Sequence, residues 1–274
     1  MQLHLIASTG RTATTFLARA IDSLDGAIGC HEGYRAADKD STPILPLVNL
    51  DNRQAFYSQE AARRIVAEKR SPTVIAEIAR SLEGSRLIDV AYYNVTIGSA
   101  VLEAHPGAKL VAIIRQLEPF VRSATAMSGE DLLPVGWPDP AKDLTARERF
   151  IEMGRIRPAK GSKDDQDWAA WSAIMRNIWL WRETNAILLR MREIFGDRVL
   201  VLPFEELHGS PENFLASIAR HFGIPETGIA AALASAKEYR NQKTTGYQIG
   251  PVAEWTNEEQ AFYEAAANVI GNKL

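Results

Sequence analysis

The sequence predicts an α/β protein, a three-layer sandwich in which helices cover both faces of a central, mostly parallel sheet. Short apolar runs recur at "LHLIA" (3–7), "RLIDV" (86–90), "KLVAIIR" (109–115) and "RVLVLPF" (198–204). Longer stretches with helical spacing separate them, and such alternation implies parallel strands joined by helical crossovers. The chain of 274 residues, 46% of them hydrophobic, is long enough to bury one sizeable core. One domain spanning 1–274 is therefore expected.

Each element has its own signal. The run at 3–7 breaks at "STGRTATT" (8–15) and helical spacing resumes, giving a strand, a loop and a helix over 12–23. A short strand returning to the same edge is expected near "GCHEGYR" (29–35), followed by an irregular region, 33–56. Further helices are predicted at 58–69, 94–104 and 117–127, interleaved with the strands at 86–90 and 109–115. The segment 128–166 holds four of the 13 prolines and mixed charge. Long irregular insertions in compact α/β domains carry function, so 33–56 and 128–166 are read as caps over a site. Helix 167–195 and strand 198–204 follow. Ser210 then serves as N-cap with Pro211 at the first helical position, and Gly223 closes the helix over 211–222. A last helix is expected at 257–270.

Composition excludes several classes. The 31 basic and 34 acidic residues, net charge −3, are interspersed, which argues against a nucleic-acid groove or a basic membrane face. Cys30 is the only cysteine, so an intrachain disulfide is impossible and sulfur-rich zinc patterns are absent. With no basic leader and no uncharged run near the roughly 20 residues that span a bilayer, the expectation is a soluble, cytoplasmic protein.

The loop at 8–15 is the first chemical feature. A strand that turns tightly into a helix directs backbone N–H groups and the positive end of the helix dipole at one point. Thr9, Thr12, Thr14 and Thr15 add hydroxyls, Gly10 the turn, and Arg11 a fixed charge. This is a cradle for phosphate or sulfate. It lacks the second glycine and the lysine of G-x-x-x-x-G-K-[ST], so it is not the nucleoside-triphosphatase version.

"STGRTATTFL" resembles the 5′-phosphosulfate loop of sulfotransferases that use 3′-phosphoadenosine 5′-phosphosulfate (PAPS), written G-x-P/G-R/K-S-G-T-T-x-L. Arg11 falls on the basic position, Thr14 and Thr15 on the paired threonines and Leu17 on the aliphatic one. Thr12 replaces a serine and Ala13 a glycine, and the Ala13 methyl would crowd the anion or disfavour a positive φ. "KLVAIIRQLEPFVRSATAM" (109–127) is similar to the family's second anion site, in which a strand-end arginine and a serine eight residues later grip the 3′-phosphate. Arg115 and Ser123 have that separation, although "RQL" stands for the usual "RDP". The segments 195–225 and 254–270 are similar to the family at the level of fold. Lys243, with Arg240, lies where members bring a basic segment over the cofactor.

The resemblance implies the P-loop-like sulfotransferase fold, PAPS as cofactor, 3′,5′-adenosine bisphosphate (PAP) as product and no required metal. It implies transfer of a sulfuryl group to a hydroxyl of a small-molecule or carbohydrate acceptor. Such a reaction also needs a base near the sulfuryl group. Glu32 matches the branch of the family that uses a glutamate here, and its neighbour His31 titrates nearer neutrality; both are candidates, with Arg11 stabilising the leaving group. His105, in "HPGA", reads as a helix cap. Trp168, Trp171, Trp179 and Trp181 are expected to pack along one long helix, leaving Trp137 as the tryptophan able to touch an acceptor. An inactive PAP-binding protein and a nucleotide-dependent kinase remain as alternatives.

Overall fold

The computed structural model describes residues 1–36, 42–82, 84–125, 152–237 and 249–271. Within them, strands β1 (Gln2–Ser8), β2 (Ala27–His31), β3 (Tyr34–Arg35), β4 (Arg86–Val90), β5 (Leu110–Ile114) and β6 (Val199–Pro203) form one sheet, ordered β3-β2-β4-β1-β5-β6. All pairings are parallel except that of β3 with β2. The α/β sandwich expected from the sequence is the observed architecture.

Helices α1 (Thr14–Asp22), α2 (Asn52–Tyr57), α3 (Gln59–Lys69), α4 (Pro72–Ala79), α5 (Asn94–Ala104) and α6 (Leu117–Ala124) precede the second irregular region. Helix α7 (Lys163–Asp167) begins inside the segment 128–166 read as irregular, and α8 (Ala173–Phe195), α9 (Glu206–Gly209), α10 (Pro211–Phe222), α11 (Ile229–Lys237) and α12 (Asn257–Gly271) follow it. The alternation of side chains along a strand splits the core into two faces. Leu3, Leu5 and Ala7 of β1 pack with α3, α5 and the end of α8, whereas Ile6 packs with α1, α10 and α11. Gly29 permits the tight approach of α1 to β2, since a Cβ there would stand 2.0 Å from the Ala18 carbonyl oxygen.

Several expectations are corrected. The helix predicted over 167–195 starts only at Ala173, where Ser172 accepts a hydrogen bond from the Met175 N–H and caps α8; Asp167 is the last residue of the separate α7. Trp168 and Trp171 therefore precede α8, while Trp179 and Trp181 lie on it; all four are buried, as packing required. Part of the region read as irregular, 33–56, is helical from Asn52. Helices α4 and α11 were not foreseen, although α4 starts with Ser71 and Pro72, the same signal that placed α10. No helix among the described residues is long and apolar enough to cross a membrane.

Candidate active site

The loop after β1 is wound upon its own hydroxyls. Ser8 Oγ accepts from the Gly10 N–H at 3.1 Å and shares a hydrogen bond with Thr12 Oγ1 at 2.7 Å. Gly10, Arg11 and Ala13 have φ of 89°, 57° and 55°. For the two non-glycine residues this left-handed conformation costs about 1–2 kcal/mol each. Alternating hands along Arg11, Thr12 and Ala13 make successive N–H groups converge into an anion-binding concavity. Ala13 is the N-cap of α1 and offers no side-chain acceptor, so the first-turn N–H groups face outward. Thr12 is fully buried, its hydroxyl turned inward onto Ser8, while Thr14 and Thr15 remain half-exposed at the mouth.

The second predicted anion site is brought onto this loop. Arg11 Nε donates to Ser123 Oγ at 2.8 Å, and Arg115 Nη1 donates to the Arg11 carbonyl oxygen at 2.6 Å. Arg115 is held from behind. Its carbonyl accepts from Trp181 Nε1 at 2.7 Å, and its guanidinium lies 5.1 Å from the Phe204 ring centre. The variant turn "RQL" is fixed by Glu205, whose Oε1 accepts from the Gln116 N–H at 3.0 Å.

His31 and Glu32 sit at the carboxyl end of β2, two strands from β1, and face different neighbours. His31 Nε2 lies 3.1 Å from Thr14 Oγ1 and 3.4 Å from Thr15 Oγ1, against the cradle. Glu32 Oε2 accepts from Asn49 Nδ2 at 3.2 Å. Its φ is 51°, a conformation a glutamate adopts only when its surroundings impose it. They do so firmly. The Glu32 N–H donates to the Val90 carbonyl at 3.3 Å, and the Gly33 N–H to Asp89 Oδ1 at 3.4 Å. Gly33 has φ 88°, and a Cβ there would stand 2.9 Å from the Leu45 carbonyl oxygen.

Asp89 is a residue of the site that the sequence motifs do not mark. It is fully buried, paired with a fully buried Arg70 at 3.1 Å, and accepts from the Tyr93 hydroxyl at 3.0 Å. Burial and the Asp89 charge push the Tyr93 phenol well above its ordinary range. The signal was present as an aspartate flanked by Leu87, Ile88 and Val90 within "RLIDV". His105 caps α5, as expected, and its Nε2 bonds the Arg70 carbonyl.

Beside Glu32 the two irregular regions meet. Asn52 Nδ2 donates to the Gly154 carbonyl, and Arg53 donates to the carbonyls of Arg155 and Glu152, each at 2.8 Å. Beneath this seam lies a small pocket lined by Thr9, Asn52, Tyr92, Thr96, Arg155 and Thr184, among others. Burial lowers the pKa of Arg155 from its ordinary value and raises that of Tyr92. Lys243, Arg240 and Trp137 lie outside the described residues.

No protein-family model matches the sequence, and no curated protein matches it. Solved structures do. A sulfotransferase from Mycobacterium avium is 14% identical over 99% of this chain and 75% of that one, with a TM-score of 0.50. A sulfotransferase from Alicyclobacillus acidocaldarius is 14% identical over 99% and 95%, with a TM-score of 0.49. A mouse sulfotransferase complexed with PAP is 13% identical over 99% and 85%, with a TM-score of 0.48. At such identity the likeness is one of fold: the chain has the fold of a sulfotransferase.

Proposed function

We propose that the chain is a PAPS-dependent sulfotransferase, a single domain in which the segments 33–56 and 128–166 cover the acceptor. The observation that carries this is the union of two anion-binding elements far apart in sequence. Arg11 of the loop bonds Ser123, and Arg115 bonds the loop carbonyl of Arg11, at the carboxyl ends of adjacent parallel strands. A ligand bearing both a 5′- and a 3′-anionic group fits that pair.

PAPS supplies an activated sulfuryl group on a phosphate leaving group. The residues around it divide the remaining work. The N–H groups at the start of α1, with Gly10, Arg11 and the hydroxyls of Thr14 and Thr15, hold the 5′ end and neutralise charge gathering on the departing phosphate. Arg115 and Ser123 hold the 3′-phosphate by charge-assisted hydrogen bonds. Glu32, fixed in a strained conformation beside the pocket, takes the proton from the acceptor hydroxyl. His31, bonded to Thr14 and Thr15, is the other candidate for that role and is placed against the cofactor cradle.

Ala13 is what favours the reading as an inactive PAP-binding protein, and its backbone nonetheless has the wound conformation the cradle needs. Calorimetry tests the assignment. PAP should bind tightly and ATP and ADP much more weakly; equal affinity for ATP would refute it. Arg115→Ala should weaken PAP binding about tenfold to a hundredfold, the loss of one charged hydrogen-bond pair.

A further inference from the structure

Arg155 is an oddly placed cation. It is only 5% exposed, and its Nε has no hydrogen-bond partner. Among the described residues no hydrogen bond or ion pair reaches its guanidinium, which lies 4.8 Å from the ring centre of Tyr92. The carboxylate of Glu32 is within electrostatic reach but takes its hydrogen bond from Asn49. Burying an unpaired charge is costly, and a protein that tolerates it in a pocket wall gains when a counter-ion arrives.

The rest of the pocket identifies what that counter-ion is. Thr96 Oγ1 donates to Asn52 Oδ1 and Thr184 Oγ1 to the Leu180 carbonyl, each at 2.6 Å, so those hydroxyl protons are already committed. Thr9 Oγ1 is buried and has no partner. The donors left in the lining are thus the Arg155 guanidinium, the Thr9 hydroxyl and the Tyr92 phenol, with no carboxylate among the lining residues. A planar fork of N–H donors beside a hydroxyl suits a compact oxyanion.

We propose that Arg155 and Thr9 form a binding site for an oxyanion carried by the acceptor, so that the substrate is a hydroxyl compound bearing a carboxylate, phosphate or sulfate group. That the ligand is an acceptor rests on the proposed sulfotransferase function. Asn52 and Arg53, bonded to the carbonyls of Glu152, Gly154 and Arg155, join the described parts of the two irregular segments at the site. The occupant is a group on the substrate rather than a free ion, because the base assigned to the acceptor hydroxyl, Glu32, is bonded to Asn49, whose backbone packs with the Tyr92 hydroxyl against Gly154, next to Arg155.

The test uses the full chain saturated with PAP, titrated calorimetrically with inorganic sulfate and with a panel of hydroxybenzoates and their methyl esters. The carboxylates should bind at least about tenfold more tightly than their esters. Arg155→Gln should erase that preference while leaving PAP affinity unchanged, and without ligand its melting temperature should not fall below that of the wild type, since an unpaired buried charge is removed. Arg155→Lys provides a second variant: it keeps the charge but loses the planar fork, and should bind the carboxylates with an affinity between those of the wild type and Arg155→Gln, with PAP affinity unchanged. Sulfate binding with no carboxylate preference would mean a free-anion site and overturn the acceptor claim. Anion binding lost in Arg115→Ala but intact in Arg155→Gln would place the anion in the cofactor cradle and overturn the site. Binding by no anion overturns it as well. If PAP itself fails to bind, the sulfotransferase reading falls, and sulfate titration of wild type against Arg155→Gln still decides whether Arg155 holds an oxyanion.

Discussion

The two flanks of β1 solve the same problem, holding charge at the end of a sheet, in opposite ways. On the β5 side the cations are tied to the protein: Arg11 to Ser123, and Arg115 to the Arg11 carbonyl. On the β4 and β2 side, charge is either locked into a buried network, as in Asp89 with Arg70 and Tyr93, or left beside an aromatic ring with its Nε unbonded, as in Arg155. The first flank joins two short stretches, the loop and the 115–123 segment, each with its own local pattern. The second depends on backbone contacts between segments that carry no such pattern, and what it lacks is as informative as what it holds. If the flanks divide the work between cofactor and acceptor, a substitution should disturb binding or transfer according to the side it is on.

The largest expected effect is at Glu32. Glu32→Gln keeps the shape and the Asn49 contact but removes the base, so kcat should fall about 10²–10⁴-fold while PAP affinity stays within error. His31→Asn should do the reverse, altering PAP affinity through Thr14 and Thr15 with a smaller change in kcat. Single-turnover kinetics with labelled PAPS, alongside PAP calorimetry, separates the two. An active Glu32→Gln beside an inactive His31→Asn would move the base to the cradle side and break the comparison.

Next in size is the support beneath Glu32. Asp89→Asn leaves the buried Arg70 without its counter-charge, and breaking such a pair costs about 3–5 kcal/mol. Urea denaturation should show that loss. Removing both charges, in Asp89→Asn with Arg70→Met, should recover much of the stability without restoring full activity, because the Gly33 N–H would still have lost its carboxylate acceptor. A single variant as stable as the wild type would show that the network is incidental.

The same contrast explains what the sequence revealed. The cradle was legible because its residues are contiguous, and Arg115 and Ser123 because a strand end and one helix fix their separation. Strands β1, β4, β5 and β6 were legible as short apolar runs, whereas β2 and β3 were expected only as one short strand near 29–35. Arg155 was not, since its position follows from Asn52 and Arg53 bonding the backbone of 152–155, a pairing that no local pattern encodes. Asp89 was hidden by reading its run as uniformly apolar. The break before α8 was missed because helical spacing continues through Trp168 and Trp171, while the Ser172 cap outweighs it.

The smallest expected effect lies within the cradle itself. Ala13 holds φ 55° and ψ 34°, where an L-residue pays about 1–2 kcal/mol and glycine does not. Glycine, however, has more freedom to lose on folding, worth about 0.4–1 kcal/mol. Ala13→Gly should therefore stabilise the fold by roughly 0.5–1 kcal/mol, raising the melting temperature by about 1–4 °C. The Ala13 side chain makes no capping hydrogen bond, so nothing polar is lost in the exchange. PAP affinity should rise slightly or stay the same, because the loop would reach the bound conformation with less strain. Differential scanning calorimetry with and without PAP measures both quantities. A lower melting temperature in both states would mean that the alanine is not strained in the folded protein, and that this flank, like the other, is held by contacts rather than by the winding of the loop.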